Sequence, residues 1–208
     1  MPLWNVFRRA RSGSPEELAT FLYGQAAFVA QKTVLDYCRV KMGRNDTRYF
    51  ADANFKAALE HCRWQVFFAA AADIMLLTEA MLRPLAAGRE AALGLALVDM
   101  HATVLTRSPC PPGEGAAAAE RLAAFAHLLQ VRQDAAPAEP NRMPLLAEPV
   151  LFATLPVHAE QRAGESVAIR GALRFHVVST EQEMRRHFDL ASLAYRLSTS
   201  PDCTPNSL

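Results

Sequence analysis

Residues 64–82, WQVFFAAAADIMLLTEAML, are the longest apolar run in the chain, with the carboxylate of Asp73 at the centre. A helix that is apolar all round must be enclosed by neighbours, so this run marks the middle of the fold. Extended back to residue 55, the pattern Phe55, Leu59, Cys62, Val66, Ala70, Asp73, Leu77 recurs every three or four residues. That spacing puts all seven on one helical face and sets Asp73 inside the apolar stripe. A carboxylate placed there must accept hydrogen bonds, meet a cation or stay protonated.

On both sides of this run the chain reads as helix. Ser14-Pro15-Glu16-Glu17 opens the first one, with a capping hydroxyl, a proline at the first helical position and carboxylates near the positive helix end. It is predicted to run to Met42 and stop at Gly43. Phe21, Phe28, Leu35 and Met42 repeat along it every seven residues, beside a polar strip of Gln25, Lys32, Asp36 and Arg39. Asp52 caps the central helix, which ends near Pro84. Two more helices are expected over residues 88–106 and 116–133, separated by the breaker Ser108-Pro-Cys-Pro-Pro-Gly-Glu-Gly115. Residues 134–142 form a proline-containing linker.

Beyond the linker the period changes. Val167, Ile169, Gly171, Leu173, Phe175 and Val177 alternate with Arg170, Arg174 and His176, which predicts a half-buried strand. Residues 150–157 would pair with it as a short β-hairpin. Thr180-Glu181-Gln182-Glu183 then reads as a capping box opening a last helix, with Met184, Phe188, Ala191 and Tyr195 as its buried stripe. The expected fold is thus mainly α: a bundle-like core of about four helices (14–133), then a β-hairpin and C-terminal helix (145–197). A flexible segment (1–13) and a disordered tail (198–208) flank this single domain.

Composition narrows function mostly by exclusion. The net charge is +1 on 208 residues, so no global field favours nucleic acid. Only three of the 22 basic residues are lysines, Lys32, Lys41 and Lys56, an arginine and alanine bias that suggests GC-rich bacterial coding. The central run is about the length a bilayer needs, but it carries Asp73 and Glu79 and is flanked by Arg63 and Arg83. Trp4 and Phe7 beside Arg8 and Arg9 would suit at most a weak interfacial anchor. No secretory signal is present, so a cytoplasmic location is expected. The four cysteines form no CxxC pair, and no phosphate-binding loop, nucleophile elbow, HExxH or Glu-x-x-His spacing occurs. Neither a metal nor a cofactor is expected.

Three functions remain. The first is a protein-binding adaptor, assembly or regulatory factor, docking through the exposed edge of the 167–177 strand. The second is a binder of an apolar small molecule, lipid or quinone-like, in a cavity lined by Phe21, Phe28, Trp64, Phe67 and Phe68. Arg170 and Arg174, on one strand face, would grip an anionic ligand. The third is an enzyme using Asp73 with His61 or His101. Antiparallel packing about Pro84 brings Asp73 toward Asp99 or His101, and a carboxylate that orients an imidazole serves general base chemistry. Lys32 and Arg39 are the alternative partners for Asp73.

Overall fold

The computed structural model describes residues 10–43, 46–86 and 88–199. Trp4, Phe7, Arg8 and Arg9 and the tail from residue 200 lie outside them. Helix α1 (Pro15–Gln31) is capped by Ser14, whose hydroxyl accepts the Glu17 N–H at 3.3 Å. It continues through a π-helical turn (Lys32–Asp36) into α2 (Tyr37–Met42) and stops at Gly43, whose φ of 53° is open to glycine at little cost. The short α3 (Asp46–Tyr49) leads to α4 (Ala53–Leu82), capped by Asp52 accepting the Phe55 N–H at 2.8 Å. A 3-10 turn at Arg83–Leu85, where Pro84 removes a donor, ends α4. There follow α5 (Glu90–Thr106), α6 (Ala118–Gln133), α7 (Ala147–Thr154), α8 (Ser166–His187) and α9 (Leu190–Thr199).

Helix α4 is the axis of the molecule, with α1, α5, α7, α8 and α9 all touching it. Its inner turns bury Val66, Ala70, Asp73, Ile74, Met75 and Leu77 almost completely. Residues 53–85 are long and apolar enough to cross a membrane, and the other helices bury 83% of their most apolar window. The enclosed helix read from the 64–82 run is thus in place.

The β-hairpin is not. Among the described residues no strand forms, only one parallel bridge between Ser12 and Phe188. Residues 147–154 are α7, and residues 167–177 lie inside α8. The alternating residues divide between the two sides of that helix: Ile169, Leu173 and Val177 are buried, while Val167, Gly171 and Phe175 face solvent. Thr180 and Met184 continue the buried stripe at helical spacing, so burial favours one long helix over a strand. Thr180 therefore opens no helix. Its hydroxyl lies mid-helix, 3.2 Å from the His176 carbonyl and 3.3 Å from Gln25 of α1.

The chain breaks instead at Phe188, where Asp189 caps α9 by accepting the Ala191 and Ser192 N–H groups at 3.1 and 3.2 Å. Leu193, Ala194 and Leu197 carry the buried side of α9, while Ala191 and Tyr195 are exposed. At the same break the Ser12 N–H donates to the His187 carbonyl and the Asp189 N–H to the Ser12 carbonyl, at 2.9 and 2.8 Å. These bonds dock residues 10–13 on the α8–α9 corner. Ser198 and Thr199, counted with the tail in the sequence, complete α9.

Candidate functional site

Asp73 is fully buried and accepts two backbone hydrogen bonds, from Leu146 at 2.7 Å and Ala147 at 2.9 Å. These are the first donors of α7, which no local side chain caps. Asp73 is therefore an N-cap supplied from another helix, placed where the α7 dipole favours a negative charge. Burial pushes its carboxyl up to about 7, opposed by the two N–H groups and by the charges of Arg132 and Arg174. None of the partners anticipated for it is used: Lys32 pairs with Asp36 at 3.0 Å, Arg39 is exposed, and His101 has a different neighbour.

Two arginines complete what Asp73 begins. Arg83, at the end of α4, faces Glu79 at 3.0 Å and sends Nη1 toward the Arg132, Gln133 and Ala135 carbonyls at 3.3, 3.1 and 2.6 Å. A cation thus closes the C-terminus of α6. Burial pushes the Glu79 carboxyl up, and the Arg83 guanidinium opposes the shift. From α8, the Arg174 Nη1 donates toward the Pro140, Asn141 and Met143 carbonyls at 3.5, 3.1 and 2.9 Å. The linker between α6 and α7 is held at three points by charged side chains whose partners are backbone atoms. Arg170, paired in the sequence reading with Arg174, instead meets Glu148 at 2.6 Å and covers the Phe152 ring.

The histidines separate. His101 is 1% exposed on α5 and stacks on Phe125 of α6, with 4.2 Å between ring centroids. Its Nδ1 is buried without a hydrogen-bond partner, and burial lowers its pKa to about 4, so the ring is neutral at pH 7. His61 lies on the exposed side of α4, its Nδ1 2.6 Å from Glu114, which also accepts from Gln65 at 2.6 Å. Arg121 ties this group together, donating to the Glu114 carbonyl and to Gln65 at 3.0 and 3.2 Å. The cluster pins the proline-rich 107–117 loop to α4. Asp73 makes no hydrogen bond with either histidine.

Tyr37 and Lys41 of α2 share one partner at the start of α8. Glu165 accepts from Tyr37 and Lys41, both at 2.7 Å. Cys38 and Cys62 are buried, and burial pushes their thiols up to about 12 and 11, which leaves them protonated and unreactive at neutral pH. Among the described residues no group of three metal-ligating side chains converges.

The five aromatics named for a ligand cavity occupy three places. Trp64, Phe67 and Phe68 form one cluster on α4, with Tyr23 against Phe67 and Arg121 over Phe68. Phe21 packs edge-on to Phe188 beside an open groove lined by Arg11, Gln25, Glu183 and His187. Phe28, 46% exposed, meets His176 of α8 edge-on at 5.4 Å, and Phe175 touches the same imidazole at 5.5 Å.

That last contact belongs to a surface the sequence did not reveal. The side of α8 opposite its buried stripe carries Val167, Ala168, Gly171, Ala172 and Phe175, all exposed. A solvent-facing helix face is ordinarily charged. The two charges of these turns, Arg170 and Arg174, lie to one side of it, where the half-exposed Arg170 meets Glu148 and Arg174 donates to the 140–143 backbone. Phe175 is 68% exposed and Val167 77%. The signal was available in the sequence as the spacing Val167, Gly171, Phe175, once the segment is drawn as a helix. Set against protein-family models, curated proteins and solved structures, the chain matches none of them.

Proposed function

We propose that this chain acts by binding protein, as an adaptor, assembly or regulatory factor, through the surface formed by α8 and the adjoining part of α1. The observation that carries the reading is the apolar, solvent-facing side of α8 from Val167 to Phe175, with Phe28 of α1 beside its Phe175 end. Surface of this kind is at its most stable when covered, and aromatic residues are the side chains that interfaces concentrate. The titratable side chains inside the molecule support the same reading, since Asp73, Arg83 and Arg174 hold helix ends and linker backbone in place and Glu79 pairs with Arg83. Docking by strand addition at residues 167–177 is replaced by docking on a helix face.

The test is photo-crosslinking with benzoylphenylalanine in place of Phe175, in a lysate of the source cells. A discrete protein adduct is expected, and the same probe at the buried position Leu173 should give only intramolecular products. Adducts of lipid mass alone, or no adduct above the level at Leu173, would overturn the reading.

A further inference from the structure

Helix α7 is tied to the rest of the molecule mainly by side chains. Two of its eight residues, Ala147 and Leu151, are buried, against 17 of 30 on α4. A helix of this length does not persist on its own. Its first N–H groups rest on Asp73, and at its last turn the Thr154 hydroxyl lies 3.3 Å from the Cys62 sulfur. Asp73 follows Cys62 on α4 while Leu146 precedes Thr154, so α7 lies antiparallel along α4 and covers both groups. The chain is fixed on either side of it. Before α7, Arg174 donates to the Met143 carbonyl at 2.9 Å; after it, Glu165 accepts from Tyr37 and Lys41 at 2.7 Å.

Between these two points, residues 144–164 bury only Leu145, Ala147, Leu151, Leu155 and Val157. Apart from the two bonds that Asp73 accepts, the backbone hydrogen bonds of this segment stay within residues 144–165 among the described residues. Arg162 donates to the Phe152 carbonyl at 3.1 Å, a bond inside the segment. The ion pair of Glu148 with Arg170, at 2.6 Å, is half-exposed and adds little. We propose that residues 144–164 form a flap that lifts from α4 as one unit, with Asp73 as its latch and Cys62 beneath its far end. A segment with few buried side chains and few outside hydrogen bonds opens at lower free energy than the whole molecule. Lifting frees the two N–H groups, returns Asp73 to water and uncovers the Cys62 thiol. Helix α4 itself, held also by α1, α5, α8 and α9, stays in place.

The test is N-ethylmaleimide labelling of the full chain at pH 7, read at Cys62 by peptide mass, beside amide exchange under the same conditions. Cys62 should react through an opening that depends only weakly on low concentrations of urea, because little surface is exposed. The amides of residues 151–155 should exchange with the same shallow dependence, about tenfold or more faster than those of residues 74–77. Asp73→Asn keeps the size of the side chain but loses one acceptor, and should raise both rates by about tenfold. Should that variant fail to fold, the rates of the parent chain decide alone. Labelling of Cys62 and exchange at 151–155 that follow global unfolding, with its steep urea dependence, overturn the inference. So does exchange at 151–155 that opens while Cys62 stays unreactive, since the flap would then not be what covers the thiol. A folded Asp73→Asn variant with both rates unchanged overturns it as well.

Discussion

Helices α4 and α8 reverse the usual placement of charge. The enclosed helix carries Asp73 and Glu79, both buried, and is followed directly by the buried Arg83. The helix that faces solvent carries an uncharged outer side from Val167 to Phe175. The difference shows what each charge is for. On α4 and at its end the titratable groups meet backbone: Asp73 takes the first N–H groups of α7, and Arg83 takes the last carbonyls of α6. A buried helix terminus leaves up to four polar groups without partners, and a charged side chain from a neighbouring helix satisfies them more strongly than a neutral one. On α8 the backbone is satisfied within the helix, and the outer side is free to be apolar where something covers it.

The largest effect should come from Arg83. Arg83→Met leaves Glu79 buried without its cation and frees three carbonyls, so about 4 kcal/mol of stability should be lost in denaturant unfolding. A loss below about 1 kcal/mol would mean that the α6 terminus does not depend on this charge. Leu173→Ala, at the fully buried side of α8, should cost about 3 kcal/mol. Asp73→Ala leaves two backbone donors buried and should also cost about 3 kcal/mol. The loss should be local: amide exchange is expected to accelerate first at Leu146 and Ala147 and only later along α4. Uniform acceleration along α4 would make Asp73 a core residue rather than the cap of α7.

Much of this was legible in the sequence, and the parts that were not have physical causes. The all-round apolarity of residues 64–82 announced the central helix, and the caps at Ser14 and Asp52 marked two helix starts correctly. The need of Asp73 for a partner was also readable, but its identity was not. The partner is backbone, about seventy residues away in sequence, and backbone donors carry no residue signature. One clue was there: Pro149 suits the first turn of a helix. The hairpin failed for a geometric reason. Alternation at every second residue contains two interleaved sets spaced by four, and a helix buries one set while exposing the other. Ile169, Leu173 and Val177 went inward; Val167, Gly171 and Phe175 went outward. The exposed set, which is the candidate docking face, could not be seen until that choice was made.

Smaller effects follow from pH. His101 is neutral when folded, with a pKa near 4 against the ordinary 6.5. Below pH 6.5 the unfolded chain takes up a proton that the folded one refuses, so this residue makes stability fall as pH drops from 6.5 to 4. Asp73 acts in the opposite sense. Its pKa, raised from 3.8 to about 7, lets the folded chain hold a proton that the unfolded one releases, so stability falls as pH rises across that window. Each slope has a limit of about 1.4 kcal/mol per pH unit, and between about pH 4 and 6.5 they offset one another. Relative to the parent chain, Asp73→Asn should therefore lose ground as pH falls, and His101→Phe should gain it. Difference curves that are flat with pH would show that neither group titrates differently on folding.

The smallest effect should come from Phe175→Ala, only two residues from Leu173. In a strand these two side chains would point to the same face and their removal would cost similar amounts. On α8 they point to opposite sides, Leu173 fully buried and Phe175 68% exposed. In the purified chain, Phe175→Ala should shift stability by no more than about 0.5 kcal/mol. A cost comparable to that of Leu173→Ala would place Phe175 inside the molecule and remove the basis of the docking face.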